Sequence, residues 1–177
     1  MKRRFLIGAL VTAWITLAQD TKEVLVGNKL TDGFDMGVDT DQKQTDWLKD
    51  MDVENSFRLS YPAGQKWGAV FITAGPPVDP PRPGLDLSMY KFLVVEMRGG
   101  VGGEKVYVGV KSNTQPDNGS EVKVEETLRD AEWRTYRYPL TRFVRVDSKR
   151  LYVVAEFVFS GPAAATVYVR SVRYTVK

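Results

Sequence analysis

From residue 56 on, alternation of apolar and polar residues with a period of two dominates the strand-like segments. No segment after the first twenty residues carries a sustained 3.6-residue stripe. SFRLSY (56–61) sets Phe57, Leu59 and Tyr61 on one side, and WGAVFIT (67–73) is rich in aromatic and β-branched residues. KFLVVEMRG (91–99) and KVYVGVKSN (105–113) flank the flexible GGVGG. EVKVEE (121–126), WRTYRYPL (133–140), LYVVAEFVF (151–159) and TVYVRSVRYTV (166–176) follow, and VLVGNKL (24–30) reads as a first strand. TDWLKDMD (45–52) has room for one helical turn. About nine strands separated by Gly, Pro, Asn and Asp turns predict an all-β antiparallel sandwich or barrel. The alternation sends Leu93, Val95 and Met97, Val106, Val108 and Val110, Tyr136, Tyr138 and Leu140, and Ala155, Phe157 and Phe159 inward.

The N-terminus is of another kind. Lys2, Arg3 and Arg4 precede an apolar run from Phe5 to Ala18, and Thr16 and Ala18 stand at −3 and −1 of a cut after Ala18. This is the layout of a secretory signal peptide. It predicts a secreted or periplasmic protein consisting of one domain over residues 19–177. Its apolar core of roughly 14 residues is short for a span of about 20, so the mature chain is not expected to cross a membrane. No Cys adjoins the cut, which excludes a lipid-modified cysteine there. Cleavage also removes three of the 25 basic residues and none of the 22 acidic ones. The mature chain is therefore near neutral, which argues against a nucleic-acid partner.

The chain has no Cys and no His. Stability must come from a packed core rather than from disulfides. The Ser-His-Asp triad, the Cys-His pair and histidine metal sites are all excluded. No cofactor is expected.

Five of the nine prolines fall in GPPVDPPRPG (75–84). Strands stand on both sides of this stretch, and neither half alone has enough of them for a sandwich. It reads as a stiff crossover within one domain, where proline's fixed φ and missing N–H are no liability. A docking peptide, suggested by Pro77 to Pro80 and Arg82, is the lesser reading.

Three C-terminal segments resemble the galactose-binding-like jelly rolls. DLSMYKFLVVEMRG is similar to the opening of a sheet in that superfamily, EWRTYRYPLTRF to its tryptophan-strand-Pro-Leu segment, and LYVVAEFVFSGPAAATVYVRSVRY to its closing hairpin. The resemblance spans about residues 85 to 176. It implies a jelly-roll sandwich over residues 22 to 176 in which Trp133 is a buried core residue. Relatives include carbohydrate-binding modules of secreted glycoside hydrolases and domains of the complex I intermediate-associated type. Many hold a structural calcium between an early-strand acid, matched here by Asp35, and a last-strand acid. The latter position is Arg170. A cation there would repel calcium, so no metal is expected at the usual place. Asp32, Asp35, Asp39 and Asp41 read as a solvated acidic loop without the ordered EF-hand pattern.

Sugars are held by aromatic faces and by planar or charged groups that hydrogen-bond hydroxyls. On the outward register stand Glu96, Arg98, Tyr107, Lys111, Arg137, Tyr152 and Glu156, and Trp47 and Trp67 are further candidate platforms. If they share a face, they form a polar floor carrying two tyrosines; an ordinary solvated sheet face would have the same pattern. Glu96 and Glu156 are the one carboxylate pair considered for glycoside hydrolysis, which needs a defined separation. Nothing in the sequence brings them together, and no enzyme is expected. The function that follows is non-catalytic binding of a polysaccharide or glycan outside the cytoplasm. The alternative is a secreted structural or adaptor domain with a protein partner.

Overall fold

A computed structural model of the chain describes residues 20–43 and 54–177. The proposed signal segment, the helical turn at 45–52 and Trp47 lie outside these residues. Eleven strands are present among the described residues: β1 Thr21–Val26, β2 Lys29–Leu30, β3 Phe34–Thr40, β4 Phe57–Tyr61, β5 Trp67–Ala74, β6 Phe92–Gly99, β7 Lys105–Ser112, β8 Lys123–Thr127, β9 Arg134–Pro139, β10 Leu151–Ser160 and β11 Ala165–Thr175. They form two antiparallel sheets. One has the order β2-β1-β11-β6-β9, with β4 also paired to β11; the other has the order β3-β5-β10-β7-β8. This is the expected β-sandwich.

The inner faces hold the residues that alternation sends inward. Leu93, Val95, Met97, Val106, Val108, Val110, Tyr138, Ala155, Phe157 and Phe159 are all buried; Tyr136 and Leu140 are half-buried and pack against the same core. Two aromatic contacts tie the sheets together. Tyr61 of β4 stacks on Phe159 of β10 with ring centroids 5.4 Å apart. The fully buried Tyr174 of β11 donates its hydroxyl to the carbonyl of Val154 on β10 at 2.6 Å.

Three expectations are corrected. VLVGNKL is not one strand but the β1–β2 hairpin, turned at Gly27 and Asn28. The supposed acidic loop is largely strand β3, an edge strand in register with β5 from Phe34↔Ala74 to Thr40↔Gly68. Its aspartates bond along their own backbone: Asp35 Oδ1 accepts from Met36 N at 2.7 Å, and Asp39 Oδ1 from Thr40 N at 2.9 Å. Trp133 is half-buried rather than core. It precedes β9, and its ring packs beneath two arginines on the outside of the six-stranded sheet.

The proline-rich stretch leaves β5 in one sheet and leads to β6 in the other. It includes a cis peptide bond between Pro80 and Pro81. Beyond it, Leu85 and Leu151 exchange backbone hydrogen bonds of 2.8 and 3.0 Å, which fixes the crossover against the start of β10.

Candidate functional site

The outward candidates divide between the two sheets. Glu96 and Arg98 of β6 and Arg137 of β9 belong to the six-stranded sheet; Tyr107 and Lys111 of β7 and Tyr152 and Glu156 of β10 belong to the five-stranded one. They therefore do not form one floor. The two carboxylates considered for hydrolysis, Glu96 and Glu156, stand on opposite sheets.

On the six-stranded sheet the aromatic rings are covered by guanidinium groups. Arg98 lies 3.8 Å over Tyr168 and 5.3 Å over Trp133; Arg170 lies 4.4 Å over Trp133, and Arg137 lies 3.6 Å over Phe92. Such stacks are favourable cation–π contacts. The same arginines are tied to acids. Arg170 donates to Glu96 Oε1 at 2.6 Å, and Arg98 to Glu54 Oε2 at 2.8 Å. The hydrogen bond from Arg170, acting against a smaller opposing effect of burial, lowers the Glu96 carboxyl below its usual range. The position matched to a calcium-binding acid in relatives is thus an arginine already bound to a glutamate. A sugar would have to displace these guanidiniums to reach a ring.

The outer side of the five-stranded sheet carries a cleft of about 740 Å³. Cross-strand register builds its floor. Asp39, Ala69 and Val158 lie in one row, and Gly37, Phe71, Glu156 and Gly109 in the next. Two glycines make room there. A Cβ on Gly37 would stand 2.3 Å from the Phe71 ring, and one on Gly109 would stand 2.6 Å from Glu156 Oε1. Phe71 and Glu156 therefore lie flat over neighbouring strands. Trp67, at the start of β5, lines the cleft with 38% of its surface exposed, and among the described residues no guanidinium lies over its ring.

Below Lys111 and Lys123 lies an ion lattice. Glu156 and Glu121 are almost wholly buried, with side-chain exposures of 2% and 1%. Lys111 Nζ is 3.3 Å from each of them and 3.5 Å from Asp117. Lys123 Nζ is 3.1 Å from Glu121 and 3.5 Å from Glu156. Burial alone would push the Lys111 ammonium down, but Glu156, Glu121 and Asp117 outweigh it and its pKa is raised. Burial would likewise raise Glu121. Its own backbone N–H and the two lysines prevail, and its pKa is lowered. Oε1 of Glu121 and Oε1 of Glu156 are buried, 3.3 Å from Lys111 Nζ and 3.5 Å from Lys123 Nζ respectively.

Two loops wall the cleft. The crossover contributes Pro77, Val78, Asp79 and Arg82, and the β7–β8 loop contributes Asp117, Asn118 and Gly119. Arg82 joins them. Its guanidinium pairs with Asp117, its Nε donates to Val78 O at 3.2 Å, and its carbonyl accepts from Asn113 Nδ2 at 3.1 Å. It also lies 5.2 Å over the ring of Tyr152. Tyr152 is buried, and its hydroxyl accepts from Val78 N at 2.7 Å. It supports the wall and is not an open stacking face. Tyr107 shares the sheet face but is absent from the cleft lining. Its hydroxyl is bound to Glu125 and Ser160, with Glu125 the main cause of its raised pKa.

Of the sequence candidates, Lys111, Tyr152, Glu156 and Trp67 therefore converge on the cleft. Glu96, Arg98 and Arg137 lie on the other sheet. Sequence reasoning missed Phe71, Glu121, Lys123 and Asp117. It noted Arg82 only as part of a docking peptide.

A jelly-roll sandwich with an open aromatic ring and a polar cleft on one sheet has the make-up of a glycan-binding module. The model of the family described as carbohydrate binding domain 30 matches residues 16–176, and the chain belongs to that family. It is a carbohydrate-binding domain. No curated protein matches it by sequence. Among solved structures, it is similar to the family 30 carbohydrate-binding module of a cellulosomal cellulase of Clostridium thermocellum. The identity is 16%, the TM-score 0.59, and the match covers 89% of this chain and 98% of that one. A family 29 module from Piromyces equi has 17% identity and a TM-score of 0.55, covering 89% and 90%. A family 29 variant complexed with mannohexaose has 14% identity and a TM-score of 0.52, covering 88% and 91%. At these identities the likeness to solved structures is one of fold. Among the described residues no helix is long and apolar enough to cross a membrane.

Proposed function

We propose that the cleft on the five-stranded sheet holds a polysaccharide chain outside the cytoplasm without altering it, after residues 1–18 have directed export and been removed. The observation that carries this reading is the pairing of the open Trp67 ring with a polar floor in one cleft. The indole offers its face to the apolar side of a pyranose. Phe71, lying over Gly37, extends the apolar strip. Asp39, Asp117 and Asn118 supply donors and acceptors for ring hydroxyls. The lattice beneath fixes the lysines, so little side-chain freedom is lost on binding. Glu121 and Glu156 act in this scheme as counter-ions to Lys111 and Lys123 rather than as an acid and a nucleophile.

The test is affinity electrophoresis of the mature chain in gels containing soluble β-glucans, mannans and xylans. At least one neutral polymer is expected to retard it. Trp67→Ala should weaken that retardation by tenfold or more with an unchanged melting temperature. Retardation by no glycan, or retardation indifferent to Trp67→Ala, would overturn the reading.

A further inference from the structure

The cleft has an uneven charge distribution. Five carboxylates line it, Asp39, Asp79, Asp117, Glu121 and Glu156, against three cations, Arg82, Lys111 and Lys123. The lining is therefore two negative charges in excess, or one if Lys43, paired with Asp39 at 2.6 Å, is added. The positions of the charges sharpen this. The three cations lie below the rim, with side-chain exposures of 12 to 17%. Asp39 and Asp117 are open to solvent at 44% and 51%, and Asp79 is exposed. The protons of the two ammonium groups are directed among the carboxylates around them, with Glu121 Oε1 3.3 Å from Lys111 Nζ and Glu156 Oε1 3.5 Å from Lys123 Nζ. An incoming ligand meets the acids first and finds the cations already matched.

We infer that the cleft selects its ligand by charge: it favours chains bearing free amino groups, takes neutral chains less tightly, and rejects chains bearing uronate carboxylates. This rests on the proposal that the cleft is the glycan site. A protonated amino sugar would place an N–H donor cation near Asp79 or Asp39, where charge-assisted hydrogen bonds are stronger than neutral ones. A uronate would bring a like charge to the same rim and would gain no free cation in exchange. Across the partly aqueous cleft, one or two net charges at roughly 8–10 Å change affinity on the order of fivefold per charged sugar at low salt. Exposed groups are screened as ionic strength rises.

Three soluble β-1,4-linked polymers that differ chiefly in charge provide the test: hydroxyethyl cellulose, carboxymethyl cellulose and chitosan. Binding of the mature chain to each is measured by titration in mildly acidic buffer, where the chitosan amine is protonated and the polymer dissolved, at 20 mM and 500 mM salt. At low salt chitosan should bind on the order of fivefold tighter than hydroxyethyl cellulose, and carboxymethyl cellulose on the order of fivefold weaker, with both gaps closing at high salt. The variant Asp39→Asn/Asp79→Asn should narrow both gaps, each gap being read against that variant's own affinity for hydroxyethyl cellulose. Equal low-salt affinities for the three polymers, or gaps untouched by the double substitution, would overturn the inference while leaving the cleft as a glycan site. If chitosan binding survives Trp67→Ala in full, the amino polymer is held elsewhere and the inference also fails. Failure of all three polymers and of every neutral glycan would instead strike the underlying reading.

Discussion

Replacing Lys111 by Met isolates the ion lattice. Methionine keeps the length of the stem and removes the ammonium, which lies 3.3 Å from both Glu156 and Glu121. Breaking a buried pair by deleting one partner costs about 3–5 kcal/mol, because the remaining charge is left buried. Here the penalty is reduced, since Lys123 remains 3.1 and 3.5 Å from the same two carboxylates. A loss of about 2–3 kcal/mol follows, which for a domain of this size lowers Tm by about 5–10 °C. The pH dependence gives the sharper test. Asp117 and Glu121 have lowered pKa values in the folded wild type. For both, burial is the largest single influence and acts upward; for Asp117 the hydrogen bond from Arg82 and the charge of Lys111 overcome it, and for Glu121 its backbone N–H and the two lysines do. Their contribution is therefore fully present above the unfolded values of about 3.9 and 4.3, and is lost as pH falls through the folded ones. Without Lys111, burial drives the Glu121 carboxyl upward, so the variant sheds part of its penalty by taking up a proton. The gap between the proteins should be widest at pH 7 and should shrink by about half near pH 4.5. Thermal melts followed by circular dichroism at both pH values decide this. A gap under about 1 kcal/mol at pH 7, or one that does not narrow with acidification, refutes the claim that Lys111 neutralises buried carboxylates.

Three other outcomes are expected. Gly37→Val places a side chain 2.3 Å or less from the Phe71 ring, which must lift from the sheet; overpacking of about 1–3 kcal/mol and weaker retention on any bound glycan should appear together in melts and affinity gels. Tyr174→Phe removes the 2.6 Å bond to the Val154 carbonyl between the sheets; chemical denaturation should show a loss of about 1–2 kcal/mol that does not vary between pH 5 and 8. Expression of the full precursor in an export-competent host should yield a product whose intact mass begins at Gln19, and a secreted product retaining Met1 would contradict cleavage after Ala18.

The strands were readable where alternation or a long apolar, β-branched run was uninterrupted. Phe92–Gly99, Lys105–Ser112, Leu151–Ser160 and Ala165–Thr175 lie within a residue or two of their expected bounds. Strand β3 carries the same period at Phe34, Met36, Val38 and Thr40, but its aspartates and Gly37 obscured it. Asp is unfavourable in strands on average; on an outward edge-strand position beside solvent it is tolerated, and Asp39 is further held by Lys43. The β1–β2 hairpin was hidden for a different reason. Its second strand is two residues long, too short to show any period.

The candidate site was less legible, because alternation tells which residues face outward but not from which sheet. That depends on strand order. Here β7 and β10 are neighbours in one sheet while β6 and β9 adjoin in the other, so seven outward residues with one pattern divide between two surfaces. The surfaces differ in a way that supports the proposal of a site on the five-stranded sheet. On the six-stranded sheet Tyr168, Trp133 and Phe92 each lie under a guanidinium, and Arg98 and Arg170 are further anchored by Glu54 and Glu96. Stacking a sugar there would mean giving up those contacts first. On the five-stranded sheet the cations have been drawn beneath the surface by Glu121 and Glu156, and the Trp67 ring is left open. The side on which arginine covers the rings is closed to stacking; the side on which glutamate holds the lysines down leaves its indole open. Arginines were noticed in the sequence as possible ligand contacts. In the folded chain those of the six-stranded sheet are the groups that occupy the rings a ligand would need.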